Sequence, residues 1–295
     1  MKPVFQCGIC ASAFIENGKL KQHIEANHEG TKHYPCNFLA NYVNIDFITM
    51  PTGEKPMHNF VKRNVKCSPM HIAAERGNLK LCQHIIDRID DKNPKDLKEE
   101  TPLHWAAAND NSDVCKLILE NIIEKNPKDH VHITPLHMAA AVENLELCKL
   151  IIPNVADKNP SDKRGNTPLH EAASGSFEIC KLIIDNVIDK NPKDNNGLTP
   201  LHQAAIMGQF KIFKLIMESI NEKSPVDDKG DTPLHYAADG GHFDICLYIL
   251  AKNVTDKNHL NNIGKSPKDF AFRNGHMHLY VYLNINQTKQ SLVSF

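Results

Sequence analysis

The sequence predicts an all-α solenoid of repeated helix–turn–helix units with β-turn tips, preceded by a small ββα unit folded around a metal. Three observations lead there. A tetrapeptide, TPLH, returns at an almost constant interval. Each copy is followed by a pair of alanines and then by an apolar helix. Near the N-terminus, two cysteines and two histidines stand at metal-ligand spacing.

TPLH starts at Thr101, Thr134, Thr167, Thr199 and Thr232, with a near copy, SPMH, at Ser68 and a more divergent SPKD at Ser266. By subtraction the intervals are 33, 33, 33, 32, 33 and 34 residues. After each of the first six starts comes x-Ala-Ala, where x is Ile72, Trp105, Met138, Glu171, Gln203 and Tyr236. An apolar segment such as CKLIL, CKLII or CLYIL follows about fourteen residues after each start. Pro in the second position suits a helix's first turn, where its missing N–H is no loss. Thr or Ser before it suits the N-cap. The paired alanines let neighbouring helices approach closely. The second helix carries an apolar stripe, as in Leu117, Ile118 and Leu119, which one unit cannot bury alone.

These residues resemble the ankyrin repeat over residues 67–283, in seven tandem copies, with 284–295 as a C-terminal tail. The resemblance implies an ankyrin-repeat solenoid that binds protein partners on its concave face, built from turn tips and first helices, and works as a monomer. It also implies that His71, His104, His137, His170, His202 and His235 bond locally and staple each turn to the next repeat, in place of forming a metal or catalytic array. Cys82, Cys115, Cys148, Cys180 and Cys246 recur at one site of the second helix, with Phe213 in the remaining copy. That placement reads as small buried hydrophobes, too far apart for disulfides when stacked helices lie about 8–10 Å apart. Free thiols suit a reducing compartment.

The two irregular intervals are expected to be absorbed in loops: one residue fewer between the helices of the Thr167 copy, one more before Ser266. One departure from the ankyrin pattern is systematic. Where the family has Gly-Ala after the second helix, this chain has Ile122-Ile123 or Val187-Ile188, then D/E-K-N-P. Without glycine the helix must stop otherwise, and Asn-Pro is the expected stop, after slightly lengthened second helices.

Residues 5–28 contain Cys7-x2-Cys10-x12-His23-x4-His28, with Phe5, Phe14 and Leu20 as a small core. The stretch resembles a C2H2 zinc finger at every framework position. Cys7, Cys10, His23 and His28 would close a tetrahedron around one structural Zn²⁺ ion with no open site. So short a unit depends on its metal to fold. If the helix docks as DNA-reading fingers do, Glu16, Lys19 and Gln22 would face bases, but one finger covers only about 3 bp. Residues 29–66 read as a degenerate second finger or connector. A TGEKP linker sequence stands at Thr52–Pro56 and Cys36 is a first ligand, but Leu39 replaces the second Cys. The segment could equally pack on the first repeat as a cap.

The candidate partner-binding residues on the repeats are Arg76, Trp105, His130, Ile133, Met138, Arg164, Met207 and Tyr236. Trp105, the single Trp, and Tyr236 are rigid aromatics of the kind that anchor interfaces.

Composition narrows the function classes. The formal net charge of −1 gives no global pull toward nucleic acid or acidic lipid. Residues 1–66 are mildly basic, with eight Lys/Arg against five Asp/Glu, too few for strong phosphate binding. No apolar run approaches the roughly 18 residues of a membrane span, and the start lacks a secretory core, so an intracellular site, cytoplasmic or nuclear, is expected. No phosphate loop, nucleophile elbow or HExxH motif is present, which argues against an enzyme. Two readings stand: a protein-interaction scaffold, and a nucleic-acid-binding regulator whose finger contacts DNA or RNA while the repeats recruit partners.

Overall fold

Each TPLH opens a helix in the structure, a computed structural model that describes residues 67–285 and, for the backbone alone, 5–6 and 13–14. The two N-terminal pieces are β1 (Phe5–Gln6) and β2 (Ala13–Phe14), paired antiparallel with Phe5 opposite Phe14. Across the described residues 67–285 every regular element is helical. The first helices are α1 (Pro69–Glu75), α3 (Pro102–Ala108), α5 (Pro135–Ala141), α7 (Pro168–Ala173), α9 (Pro200–Ile206), α11 (Pro233–Asp239) and α13 (Pro267–Arg273). The second helices are α2 (Leu79–Ile86), α4 (Ser112–Asn121), α6 (Leu145–Ile151), α8 (Phe177–Ile184), α10 (Phe210–Ser219), α12 (Phe243–Lys252) and α14 (Met277–Ile285). First helices pack on first helices, second on second, and each pair on itself. The last helix runs two residues past the expected limit of 283.

Ser68 and the five threonines are N-caps with proline at the first helical position, as their sequence implies. The tighter half of each cap is histidine's, whose Nδ1 accepts the N-cap N–H at 3.0–3.2 Å. The hydroxyl's own bond to the third N–H is long, 3.5 Å at Thr134 and 3.4 Å at Thr199.

The core is one continuous stack. Both alanines of every x-Ala-Ala pair are buried, as are the five ladder cysteines and Phe213. Those cysteines are free thiols, and burial pushes each up to about 12. They behave as small hydrophobes.

The D/E-K-N-P segments correct one expectation. The second helices stop well before Asn-Pro: α2 ends at Ile86, whereas Pro94 lies eight residues on. In three of the five copies the segment's lysine folds back on the helix end. Lys92 Nζ donates to the carbonyls of Ile86 and Ile89, Lys125 to those of Leu119 and Ile122, and Lys223 to those of Met217 and Ile220. An ammonium on the last carbonyls replaces the glycine cap and complements the helix dipole. The asparagine serves the other side. Oδ1 of Asn93, Asn126, Asn159 and Asn191 accepts the N–H of Leu103, Leu136, Leu169 and Leu201 at 2.9–3.1 Å, satisfying an orphan donor of the next first helix. One short motif thus ends one helix and starts the next. Ile122 and Val187 pack on the core, whereas Ile123 and Ile188 are fully exposed.

The deletion in the Thr167 copy also falls elsewhere than expected. The turn between helices keeps three residues (Ser174–Ser176), and α7 has six residues where the other first helices have seven. The usual turn holds a left-handed residue, such as Asp110 at φ 57° or Glu143 at φ 59°, and no residue of Ser174–Ser176 is left-handed. The insertion before Ser266 does lie in the loop, where Asn253 takes the left-handed conformation after α12.

Candidate partner-binding face

Between one pair and the next the chain makes a tip, and each tip is closed by an acidic residue or its amide. Oδ1 of Asp96, Asp129, Asp162, Asp194, Asp227 and Asn261 accepts the N–H groups two and four residues on. Neighbouring tips bond to each other: His130 N–H to Lys98 O, Lys163 to Val131, Asn195 to Arg164, Asp228 to Asn196 and Asn262 to Lys229, at 2.8–3.0 Å. The tips therefore form a ladder, not a row of independent loops.

Histidine ties this ladder to the helices. Besides the N-cap bond, Nε2 of His71, His104, His137, His170, His202 and His235 reaches the carbonyl of Glu100, Ile133, Asn166, Leu198, Asp231 and Lys265, at 3.0–3.3 Å. Because Nδ1 accepts a backbone N–H, the proton sits on Nε2, which donates to the next repeat. Burial, the largest influence, holds all six rings below the ordinary histidine range, His104 and His202 down to about 4. Both nitrogens are in use on backbone groups, which leaves none for a metal or a substrate proton. Among the described residues no cluster of three or more His, Cys, Asp or Glu is placed to hold a metal ion. None of their helices is long and apolar enough to cross a membrane.

The residues expected to bind a partner fall into three rows on the side of tips and first helices. Trp105, Met138 and Tyr236 share the fourth helical position of α3, α5 and α11, all half-buried. His130, Ile133 and Arg164 lie on tips. His130 and Arg164 are exposed; Ile133 is half-buried and its backbone closes the Asp129 turn. Arg76 and Met207 cap the C-termini of α1 and α9 at one equivalent position, both exposed. The two aromatics are held from below. Trp105 Nε1 donates to Glu100 Oε2 at 3.1 Å and its ring meets His71 edge-on at 5.3 Å. Tyr236 Oη donates to Asp227 Oδ2 at 2.7 Å, and burial and then Asp227 push the phenol well above its usual value. Fixed aromatics lose little entropy when a partner lands on them.

Two further members of the same row were passed over in the sequence: Glu171 and Gln203, at the fourth position of α7 and α9. The signal was there, since each precedes an Ala-Ala pair. Gln203 Nε2 donates to Ser174 Oγ at 3.0 Å. Glu171 makes no side-chain hydrogen bond or ion pair among the described residues; burial, then Asp162 beside it, raises its carboxyl above the usual range. The zinc ligands Cys7, Cys10, His23 and His28, and the base-facing Glu16, Lys19 and Gln22, lie outside the described residues.

Against known proteins, a family model described as ankyrin repeats (3 copies) matches three times, at residues 36–129, 124–194 and 188–261. No curated protein gives a significant match. The first match begins inside the segment that the sequence suggests is a degenerate finger. Together the matches span well over half of the 295 residues and agree with the stapled helix pairs. The chain belongs to the ankyrin-repeat family.

Proposed function

We propose that this protein is a non-enzymatic scaffold that holds a protein partner on the concave side of seven ankyrin repeats. The observation that carries the reading is the half-buried row Trp105, Met138, Glu171, Gln203 and Tyr236, flanked by tips that the hydrogen-bond ladder holds in register. A rigid row of unlike side chains suits recognition of an extended partner. The six repeat histidines have both ring nitrogens on backbone groups and are consumed by the fold. Five buried free thiols favour a reducing compartment, cytoplasmic or nuclear. The scaffold works as a monomer in this reading.

The test uses the full chain and a double variant, Met138→Arg with Gln203→Arg, placed on the row and away from the staples. Crosslinked partners recovered by the parent chain should be lost from the variant, with the helical signal unchanged. A partner set untouched by the variant would place binding on another surface.

The N-terminal stretch is, in the same proposal, a zinc-folded finger in which Cys7, Cys10, His23 and His28 bind one Zn²⁺. Two thiolates and two imidazoles are a donor set suited to that ion. The antiparallel pairing of Phe5–Gln6 with Ala13–Phe14, with both cysteines in the connection between, is consistent with the ββα finger. Residues 29–66 fit better as a connector capping the first repeat, because the family match starts at 36. Metal analysis of the purified chain should give one equivalent of zinc, and Cys7→Ser should abolish it without changing the repeats' thermal transition. Zinc-free protein with native protease resistance over 5–28 would overturn the finger.

A further inference from the structure

The row of fourth-position side chains is polar at four places. Three are satisfied within the molecule: Trp105 by Glu100, Gln203 by Ser174 and Tyr236 by Asp227. The fourth, Glu171, is half-buried and faces its neighbours with no side-chain hydrogen bond or ion pair among the described residues. Burial, and then the Asp162 carboxylate, raise its carboxyl above the usual range. On either side along the row stand Met138 and Gln203, with Tyr236 one repeat further. A half-buried carboxylate with no hydrogen bond or ion pair in the described residues is unfavourable for the free protein. A cation delivered by a partner removes that cost on binding, and only a partner bearing one does.

Geometry sets where the rest of the partner lies. The first helices of successive repeats pack against one another, which puts their axes about 8–10 Å apart. An extended chain advances about 3.3 Å per residue, so it gains one repeat roughly every three residues. We propose, resting on the scaffold reading above, that the partner is a protein segment running extended along the row, with a Lys or Arg side chain on Glu171 and a bulky apolar side chain three residues away on Met138. Arg suits best, since its planar fork donates two parallel hydrogen bonds to a carboxylate. Trp105, one repeat beyond Met138, lies about six residues from the cation and is the natural optical reporter because the chain holds no other Trp.

The test is a library of fifteen-residue peptides with a fixed central Arg, beside the same library with a central Glu, screened on the full chain, with Trp105 emission and anisotropy as readouts. The Arg library should yield binders enriched in Leu, Ile, Met or Phe three residues from the centre, on one side. Glu171→Gln should weaken them at least tenfold with the circular dichroism unchanged, Glu171→Asp less. Added salt should weaken binding to the parent chain more than to Glu171→Gln. Equal selection from the two libraries, or binders that Glu171→Gln leaves within twofold, would overturn the inference. If neutral or acidic peptides bind and are lost in the Met138→Arg, Gln203→Arg chain, the scaffold face stands and only the cationic partner falls. No binding from either library also defeats the cationic partner.

Discussion

The interior repeats and the final helix pair solve the same local problem with different residues. In the interior, histidine closes the N-cap and also donates to the following tip, as His202 does to Thr199 and Asp231. In α13 that position is Asp269, whose carboxylate accepts the Ser266 N–H at 2.7 Å and hydroxyl at 2.6 Å. Among the described residues no further tip follows for it to reach. The second alanine of the pair, buried in the six earlier repeats, becomes Phe272, which is 59 % exposed. The cysteine site becomes Tyr280, whose ring lies 5.2 Å from that of Phe272. Small residues and a two-handed histidine are thus the marks of a repeat that another repeat covers; bulky rings and a one-handed aspartate mark the last described repeat.

Acid should separate the two most widely. The six histidines are held below their unfolded value of about 6.5, so their contribution is intact above that pH and is lost as pH falls toward about 4. His104 and His202 each account for on the order of 3 kcal/mol. Burial pulls Asp269 up, but the Ser266 bonds and nearby Lys265 and Lys268 outweigh it, and the carboxyl lies below its usual range. Its box therefore survives to lower pH than the staples. Circular dichroism should show cooperative loss of helix between about pH 6 and 4. An array stable at pH 4 would break the comparison.

Single substitutions sharpen it. His202→Ala strands the buried Thr199 N–H and Asp231 carbonyl and should cost about 3–5 kcal/mol in denaturant unfolding, whereas Asp269→Ala in the last described repeat should cost about 1 kcal/mol. Ala205→Phe puts the terminal residue into a covered site and should cost about 1–3 kcal/mol, while Phe272→Ala should change stability by less than about 1 kcal/mol. Asn191→Ala should also cost about 1 kcal/mol, because it removes one capping bond to Leu201.

Legibility in the sequence followed distance along the chain. The period, the proline-first helices, the cysteine core and the stapling role of histidine were readable because each recurs at fixed spacing and acts through its own repeat or the next. The D/E-K-N-P motif was visible but misread. Its asparagine acts ten residues ahead, on Leu103 and its equivalents, and its lysine acts backwards on Ile86 and its equivalents, so no local rule assigns them. The shortened α7 was misplaced for a related reason: deletions are assigned to loops by habit, yet here the three-residue turn was kept and the helix gave way. On the candidate face, the aromatics stand out in the sequence, whereas Glu171 is marked there only by the Ala-Ala pair that follows it. Only its half-buried, unpaired state beside Asp162 distinguishes it.

The claim that the histidines couple repeats, and are not free for chemistry, is tested most directly by long-range ¹⁵N–¹H NMR of the imidazoles through a pH titration of the native chain. The account predicts six rings in the neutral Nε2–H form at pH 6, unprotonated until the helical signal is lost. Rings that titrate near 6.5 with the fold intact, or that carry the proton on Nδ1, would contradict it.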